Sequence, residues 1–408
     1  MVERELSDEE LLSLDLGLFC TERPELCEGS NGHNSSRSAE SSCTDQGRAK
    51  ATSSGNEQSS SRPDLSVQES EPPCEGNGSK RRKLDGRIPL ERFGWKYLSV
   101  TNLSQQAWCE QQVVYGMELP HIQQLREEVP VVRAGSCLHL ARGSKAAEAL
   151  TPYPHWIYSE ELEVHDIVPI NVESREDSWA VKILNLLSMI PFLQAGEHVR
   201  ELPVFGELEG IFVVGVVDEL RYNSKGELEL RELKTRSQRT FPSAAQKKSH
   251  HLQVSIYKLL FEAMIKGQLN KDVITQHLHL QTEQPLGSEV LGHAHKVGFT
   301  VNTFGDLLDL MLLNLTYAEI PDVDTMTIEY CHQADASVIG TEVVRFEEEW
   351  VKSELKHYCS FWKGQREAKG VDIEEAWKCR YCDFADICEW RQSKSEEATQ
   401  KNRANQSK

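Results

Sequence analysis

The 408-residue chain has no apolar run near the roughly 20 residues that a membrane-spanning helix requires. Its longest candidate, residues 183–193, is broken by Asn185, Ser188 and Pro191. A soluble protein with no membrane partner is expected. The first residues are acidic and lack an Arg-rich amphipathic start, which argues against mitochondrial import, and no internal repeat is visible. Positive charge is scarce: 45 Lys and Arg stand against 64 Asp and Glu, a net charge of −19. The deficit is uneven. Residues 1–78 carry 16 acids and 6 Lys or Arg, a net of −10, so the N-terminal segment holds over half of the excess.

Residues 1–86 are rich in Ser, Gly, Asn and Glu and poor in aromatics, a composition that buries too little surface to offset chain entropy. They are predicted to be a disordered acidic tail. Within it, Leu6, Leu11, Leu12, Leu14, Leu16, Leu18 and Phe19 are spaced for a short partner-binding helix. At its end, Lys80-Arg81-Arg82-Lys83 reads as a nuclear localisation patch, so a nuclear protein, also present in the cytosol, is expected. Residues 87–392 are expected to be folded and 393–408 to be a second disordered tail.

The most informative stretch is residues 211–236. Ile211-Phe212-Val213-Val214-Gly215-Val216-Val217 is apolar on both faces, as a buried central strand is, and Asp218 follows at its end. Asn223-Ser224-Lys225-Gly226 supplies a turn. The next strand alternates, with Leu228 and Leu230 on one face and Glu227, Glu229 and Arg231 on the other, so that period two places Glu232 and Lys234 on the leucine face. A carboxylate and an ammonium on an inward face are costly unless they engage a metal, each other or a phosphate. Asp218 and Glu232 are hard oxygen donors suited to Mg²⁺ or Mn²⁺, and Lys234 can orient water or neutralise charge in a phosphodiester transition state. Residues 231–248 add Arg231, Arg236, Arg239, Lys247 and Lys248 against the single acid Glu232, a local patch that attracts phosphate.

A helix is predicted over residues 243–266 from the apolar spacing of Leu252, Ile256, Leu259, Leu260 and Ala263, ending near Gly267. Gln246, His250, Gln253 and Tyr257 form a stripe beside that apolar face. Near the C-terminus, Cys379, Cys382 and Cys388 fall within ten residues. A zinc site or a [4Fe-4S] cluster takes four ligands, so a fourth thiol must come from elsewhere. Cys109, Cys137, Cys331 and Cys359 are the candidates outside the tail, with Cys109 preferred. The absence of a secretory signal and of simple pairwise spacing argues for a reducing compartment over disulfides.

Taken together, these features resemble the exonuclease V family, RecB-like nucleases of the PD-(D/E)XK superfamily that carry an iron-sulfur cluster. The resemblance rests on Gly215-Val216-Val217-Asp218-Glu219-Leu220, Glu232-Leu233-Lys234-Thr235-Arg236, Gln253-x-x-x-Tyr257 and Cys379-x-x-Cys382-x5-Cys388 with Cys109 upstream, and covers residues 90–392. It implies metal ligation by Asp218 and Glu232, catalysis by Lys234, a RecB-type motif completed by Gln253 and Tyr257, and a [4Fe-4S] cluster on Cys109, Cys379, Cys382 and Cys388. It also implies an α/β, restriction-endonuclease-like core with a central mixed sheet flanked by helices, the cluster stapling the N-terminal segment to the C-terminus. The activity implied is Mg²⁺-dependent exonucleolytic hydrolysis of single-stranded DNA from free ends, in DNA repair, with replication protein A as a partner; a monomer is expected. His139 matches the early histidine motif of such nucleases and would complete the metal shell. Residues 143–160, which include Pro152 and Pro154, depart from the family pattern and are expected to be an inserted loop. Two other readings are a non-catalytic iron-sulfur protein that binds single strands and a zinc-stapled scaffold. Farther on, strand-like and helical segments alternate through residues 304–315 and 328–330, an amphipathic helix is predicted over 346–362, and His277, His279, His293 and His295 read as strand or surface residues.

Overall fold

The computed structural model describes residues 87–122 and 170–406. His139, Cys137, the 143–160 segment, the acidic tail and the Lys80–Lys83 patch lie outside the described residues. The strands in chain order are β1 (Leu98–Ser99), β2 (Val199–Leu208), β3 (Ile211–Tyr222), β4 (Leu228–Arg236), β5 (Val323–His332) and β6 (Val338–Val344). The helices are α1 (Pro89–Arg92), α2 (Val100–Gln106), α3 (Glu110–Glu118), α4 (Arg175–Gln194), α5 (Ala244–Ile265), α6 (Lys271–Leu278), α7 (Ser288–Lys296), α8 (Phe304–Thr316), α9 (Glu348–Trp362) and α10 (Glu389–Gln406), with a 3-10 segment at Ile373–Tyr381. Among the described residues no helix is long and apolar enough to cross a membrane.

A mixed α/β architecture results, its central sheet flanked by helices. The strand order is β1-β3-β4-β5-β6, with β2 also paired to β3. β2 runs antiparallel along one whole edge of β3, from Val199↔Leu220 to Leu208↔Ile211. The other edge is shared. β1 lies parallel at Leu98↔Val213 and Ser99↔Val214, whereas β4 joins antiparallel only from Glu219↔Arg231 to Tyr222↔Leu228. Between these two ladders, at residues 215–218, the sheet opens on that edge.

Local chemistry explains the elements around this opening. The Asn223 side chain accepts from the backbone N–H groups of Lys225 and Glu227, and Gly226 adopts φ 78°, closing the β3–β4 turn. A capping box starts α5: Ser243 Oγ accepts from Gln246 N while Gln246 Oε1 accepts from Ser243 N. The helix stops at Gly267, with φ 66°. α5 then packs across β2, β3, β4 and β5, burying Leu252, Ile256 and Leu260 in the core.

Three expectations need correction. β3 does not end at Asp218 but continues to Tyr222, because Glu219–Tyr222 find partners in β4. None of the paired histidines lies in a strand, though His279 and His295 are at the surface: His277 lies in α6, where its Nε2 meets Glu207 Oε2 at 3.0 Å, His279 caps that helix at φ 53°, and His293 and His295 lie in the last turn of α7. Residues 393–406, expected to be a disordered tail, continue α10; Glu, Gln, Lys, Arg and Ala dominate it and are strong helix formers. Trp390 anchors its start by donating from Nε1 to the Val371 carbonyl at 3.0 Å.

Candidate active site

The opening between β3 and β4 is lined by buried ionisable groups. Asp218, Glu232 and Lys234 are only 2, 3 and 4% exposed. Where the β3–β4 ladder stops, Asp218 Oδ2 accepts from the Leu233 backbone N–H at 2.6 Å, so a side chain takes over from the missing strand partner. Period two does place Glu232 and Lys234 with Leu228 and Leu230 on the buried face toward α5. Lys234 Nζ lies 3.0 Å from Glu232 Oε1 and donates to Gln253 Oε1 at 2.8 Å. Gln253 Nε2 in turn donates to Glu232 Oε1 and to Tyr257 Oη, both at 3.0 Å. One side-chain amide thus joins carboxylate, ammonium and phenol, the four-residue spacing putting Gln253 and Tyr257 on one face of α5.

This is a charge-paired, hydrogen-bonded network rather than a set of stranded charges, which is the condition under which such groups tolerate burial. The oxygens of Asp218 and Glu232 are of the kind that hard divalent cations take. As the side chains lie, no three His, Cys, Asp or Glu among the described residues are grouped to chelate an ion.

Sequence reasoning passed over two features of the site. Glu201 of β2, between the pairs Arg200↔Glu219 and Leu202↔Val217 and hence across from Asp218, has φ 53°, a left-handed backbone unusual for a side chain in a strand. Only pairing reveals it. The basic run at 231–248 is also less free than its local count suggests. Arg231 pairs with Glu229 and Glu329, Arg239 with Asp335, Lys247 with Glu342 and Lys248 with Glu354, acids that are mostly far along the chain.

The structure brings Cys109, Cys379, Cys382 and Cys388 to the wall of one cavity between the start of α3 and the C-terminal segment, with Trp108, Tyr115 and Lys378 beside them. Cys331 lies in β5 and Cys359 in α9, both buried elsewhere. Burial pushes the Cys109 thiol up to about 11, and the charges of Cys382, Cys388 and Cys379 push in the same direction. Burial likewise raises Cys379 and Cys382.

A family model described as "Exonuclease V - a 5' deoxyribonuclease" matches residues 88–232, 223–310 and 292–391. A protein of Danio rerio named Exonuclease V is 45% identical over 319 residues, covering 78% of this chain and 76% of that protein. The chain belongs to the exonuclease V family. As an exonuclease V it is an exodeoxyribonuclease, and the matched span contains Asp218, Glu232, Lys234, Gln253, Tyr257 and all four cavity cysteines. A solved structure described as the crystal structure of SSO0001 is a distant likeness, with TM-score 0.36 and 13% identity over 72% of this chain and 87% of that one.

Proposed function

We propose that this exonuclease V hydrolyses single-stranded DNA from free ends in a divalent-metal-dependent reaction, acting in DNA repair, with the opening between β3 and β4 as its active site. The observation that carries the reading is the buried chain Glu232–Lys234–Gln253–Tyr257 placed beside Asp218. Asp218 and Glu232 are the residues that would hold Mg²⁺ or Mn²⁺, and their donor chemistry fits. Such an ion, when bound, polarises the phosphoryl oxygen and lowers the pKa of a bound water. His139 would join that shell.

The remaining roles belong to the side chains. Lys234, fixed between Glu232 and Gln253, presents a proton donor and positive charge to the non-bridging oxygens, whose charge grows as water attacks phosphorus. Gln253 holds Lys234 through its carbonyl oxygen, and Tyr257 fixes the orientation of that amide. Both are positioning residues. The new P–O bond forms to the water oxygen, the bond to the departing ester oxygen breaks, and that oxygen takes a proton.

The same proposal places a [4Fe-4S] cluster on Cys109, Cys379, Cys382 and Cys388 within a PD-(D/E)XK core. Four cysteines lining one cavity fit a thiolate-bound cluster in kind, and the raised proton affinity of Cys109, Cys379 and Cys382 means that loading must displace their protons. The reading extends to a nuclear monomer that works on strands covered by replication protein A, supported by the family resemblance and, for the nucleus, by Lys80–Lys83.

The test uses anaerobically purified protein with Mg²⁺ on linear and circular single-stranded DNA, beside Glu232→Ala, with iron content and visible absorbance measured on the same preparation. The expected result is degradation of the linear strand alone, lost in the variant, by a brown, iron-containing protein. Cleavage by Glu232→Ala would overturn the site. Strand binding without cleavage by wild type would favour the non-catalytic reading, and a colourless zinc protein would overturn the cluster.

A further inference from the structure

Phe241 lies in the loop between β4 and α5, and 48% of it is exposed. The tip of its ring rests against the sheet at Gly340, where an added Cβ would come within 2.5 Å of Phe241 Cζ, so the glycine makes room for it. Its edge contact is Tyr330, with centroids 5.6 Å apart at 75°, and Lys247 Nζ lies over the ring 5.3 Å from its centroid, a cation-π partner that an incoming base would displace toward phosphate. The strand register places this ring relative to the catalytic lysine. Lys234 pairs with Tyr330 across β4–β5, and Tyr330 pairs with Gly340 across β5–β6. Tyr330 Oη meets His250 Nδ1 at 3.2 Å and Lys234 meets Gln253, both on α5, so all lie on one face of the sheet. Phe241 therefore stands two strand spacings, about 10 Å, from Lys234. That is a few nucleotides along a single strand.

An exposed aromatic ring in contact with Gly340 and Tyr330 at that distance from the scissile site has little structural reason to remain open, since the loop could close over Gly340 with an aliphatic side chain. The neighbouring cations cannot substitute for it as a strand-holding device: Arg239 is paired with Asp335 and Lys247 with Glu342. Little net positive charge is left for phosphate, whereas a π-face accepts any base. We propose that Phe241 is a stacking platform for a nucleobase of the single strand whose end is being cleaved, setting the strand's register against Lys234. The inference rests on the active-site reading above.

The test reads binding rather than cleavage. Full-length protein without divalent metal is titrated with single-stranded DNA carrying 2-aminopurine at successive positions from the end, using wild type, Phe241→Ala, Phe241→Leu and Phe241→Trp. Wild type and the Trp variant are expected to quench 2-aminopurine at one position. Ala and Leu are expected to lose that quenching and to bind roughly 5- to 160-fold more weakly, the range for one lost base–aromatic stack. The loss should be the same at low and high salt, because stacking releases no counterions, and should vanish on a strand abasic at that position. Wild-type-like binding by the Leu variant would make Phe241 an apolar cover and overturn the proposal, as would equal losses on abasic and normal strands or no position-specific quenching in wild type. If Phe241→Ala fails to fold, the Leu and Trp pair decides alone. Cleavage by Glu232→Ala would sink the site assignment while leaving this binding result standing, so the two failures are distinguishable.

Discussion

Gly215 shows how a residue without functional groups controls the site. A Cβ at this position would lie 2.6 Å from Tyr257 Cε1 and 2.7 Å from Val100 Cγ2, so α2 and α5 approach β3 only because the side chain is absent. Tyr257 is the far end of the hydrogen-bond chain that runs through Gln253 to Lys234. Gly215→Ala is therefore expected to cost about 1–3 kcal/mol of stability, as overpacked cores do, and to lower the cleavage rate at least about tenfold by displacing Gln253. Thermal melting and single-turnover cleavage check this together. A lowered melting point with wild-type cleavage would show that Tyr257 does not hold the amide. The sequence made Asp218, Glu232 and Lys234 legible because period two and the end of an apolar run are local signals. It made Gln253 and Tyr257 legible because they sit four apart on a helix. The need for glycine at 215 was hidden, since its neighbours Val100 and Tyr257 lie far off in the chain.

At the scale of the element, β4 carries two different polar systems on its two faces. Toward α5 it presents Glu232 and Lys234. On the other face Glu229, read from alternation as outward-facing, is buried at 5% exposure and accepts from Thr327 Oγ1 at 2.6 Å, Arg221 Nη2 at 3.0 Å and Arg231 Nη2 at 3.2 Å. The alternation was readable but the burial was not, because Thr327 arrives from β5 almost a hundred residues later. Burial pushes the Glu229 carboxyl up, yet the Thr327 hydroxyl and the two guanidinium groups outweigh it and hold it below the usual value of 4.5. A carboxyl with a depressed folded-state pKa stabilises the fold above its unfolded value, and that contribution drains away as pH falls through the folded one. Glu229→Gln is thus expected to lose about 1.5–3 kcal/mol at neutral pH, the range for hydrogen bonds to a charged group. The gap to wild type should close progressively below about pH 4.5. Urea denaturation across that range tests it, and a gap independent of pH would mean that charge is not what Glu229 contributes.

Across the whole molecule, the two ends of the folded chain are joined by a polar and aromatic clamp. Glu110, 3% exposed at the start of α3, takes both guanidinium nitrogens of Arg366, with Nη1 at 2.6 Å from Oε2, and accepts from the Lys369 backbone N–H at 2.7 Å. Gln106 Nε2 reaches the same carboxylate at 3.2 Å while its carbonyl oxygen accepts from Trp362 Nε1 at 2.8 Å. Tyr115 stacks on Phe384, and Trp108 meets Trp377 edge to face. Cys109 could be preferred from sequence among four candidates, but Glu110 beside it gave no sign that its partner lies 256 residues on. This polar and aromatic clamp brings Cys109 into the cavity with Cys379, Cys382 and Cys388 using contacts that need no cofactor. The placement of Cys109 against the other three cysteines is therefore expected to depend on Arg366. Arg366→Ala would leave the Glu110 carboxylate buried without its cation, at a cost of about 3–5 kcal/mol, and would loosen Cys109 from the other three. The expected outcome is a lower melting temperature and, on the proposed cluster, reduced iron per protein in the purified variant. Replacing both partners, as Glu110→Gln with Arg366→Met, removes the stranded charge and should restore much of both. If the double variant recovers stability but not iron, the ion pair itself, and not merely the absence of an unpaired charge, is what positions Cys109.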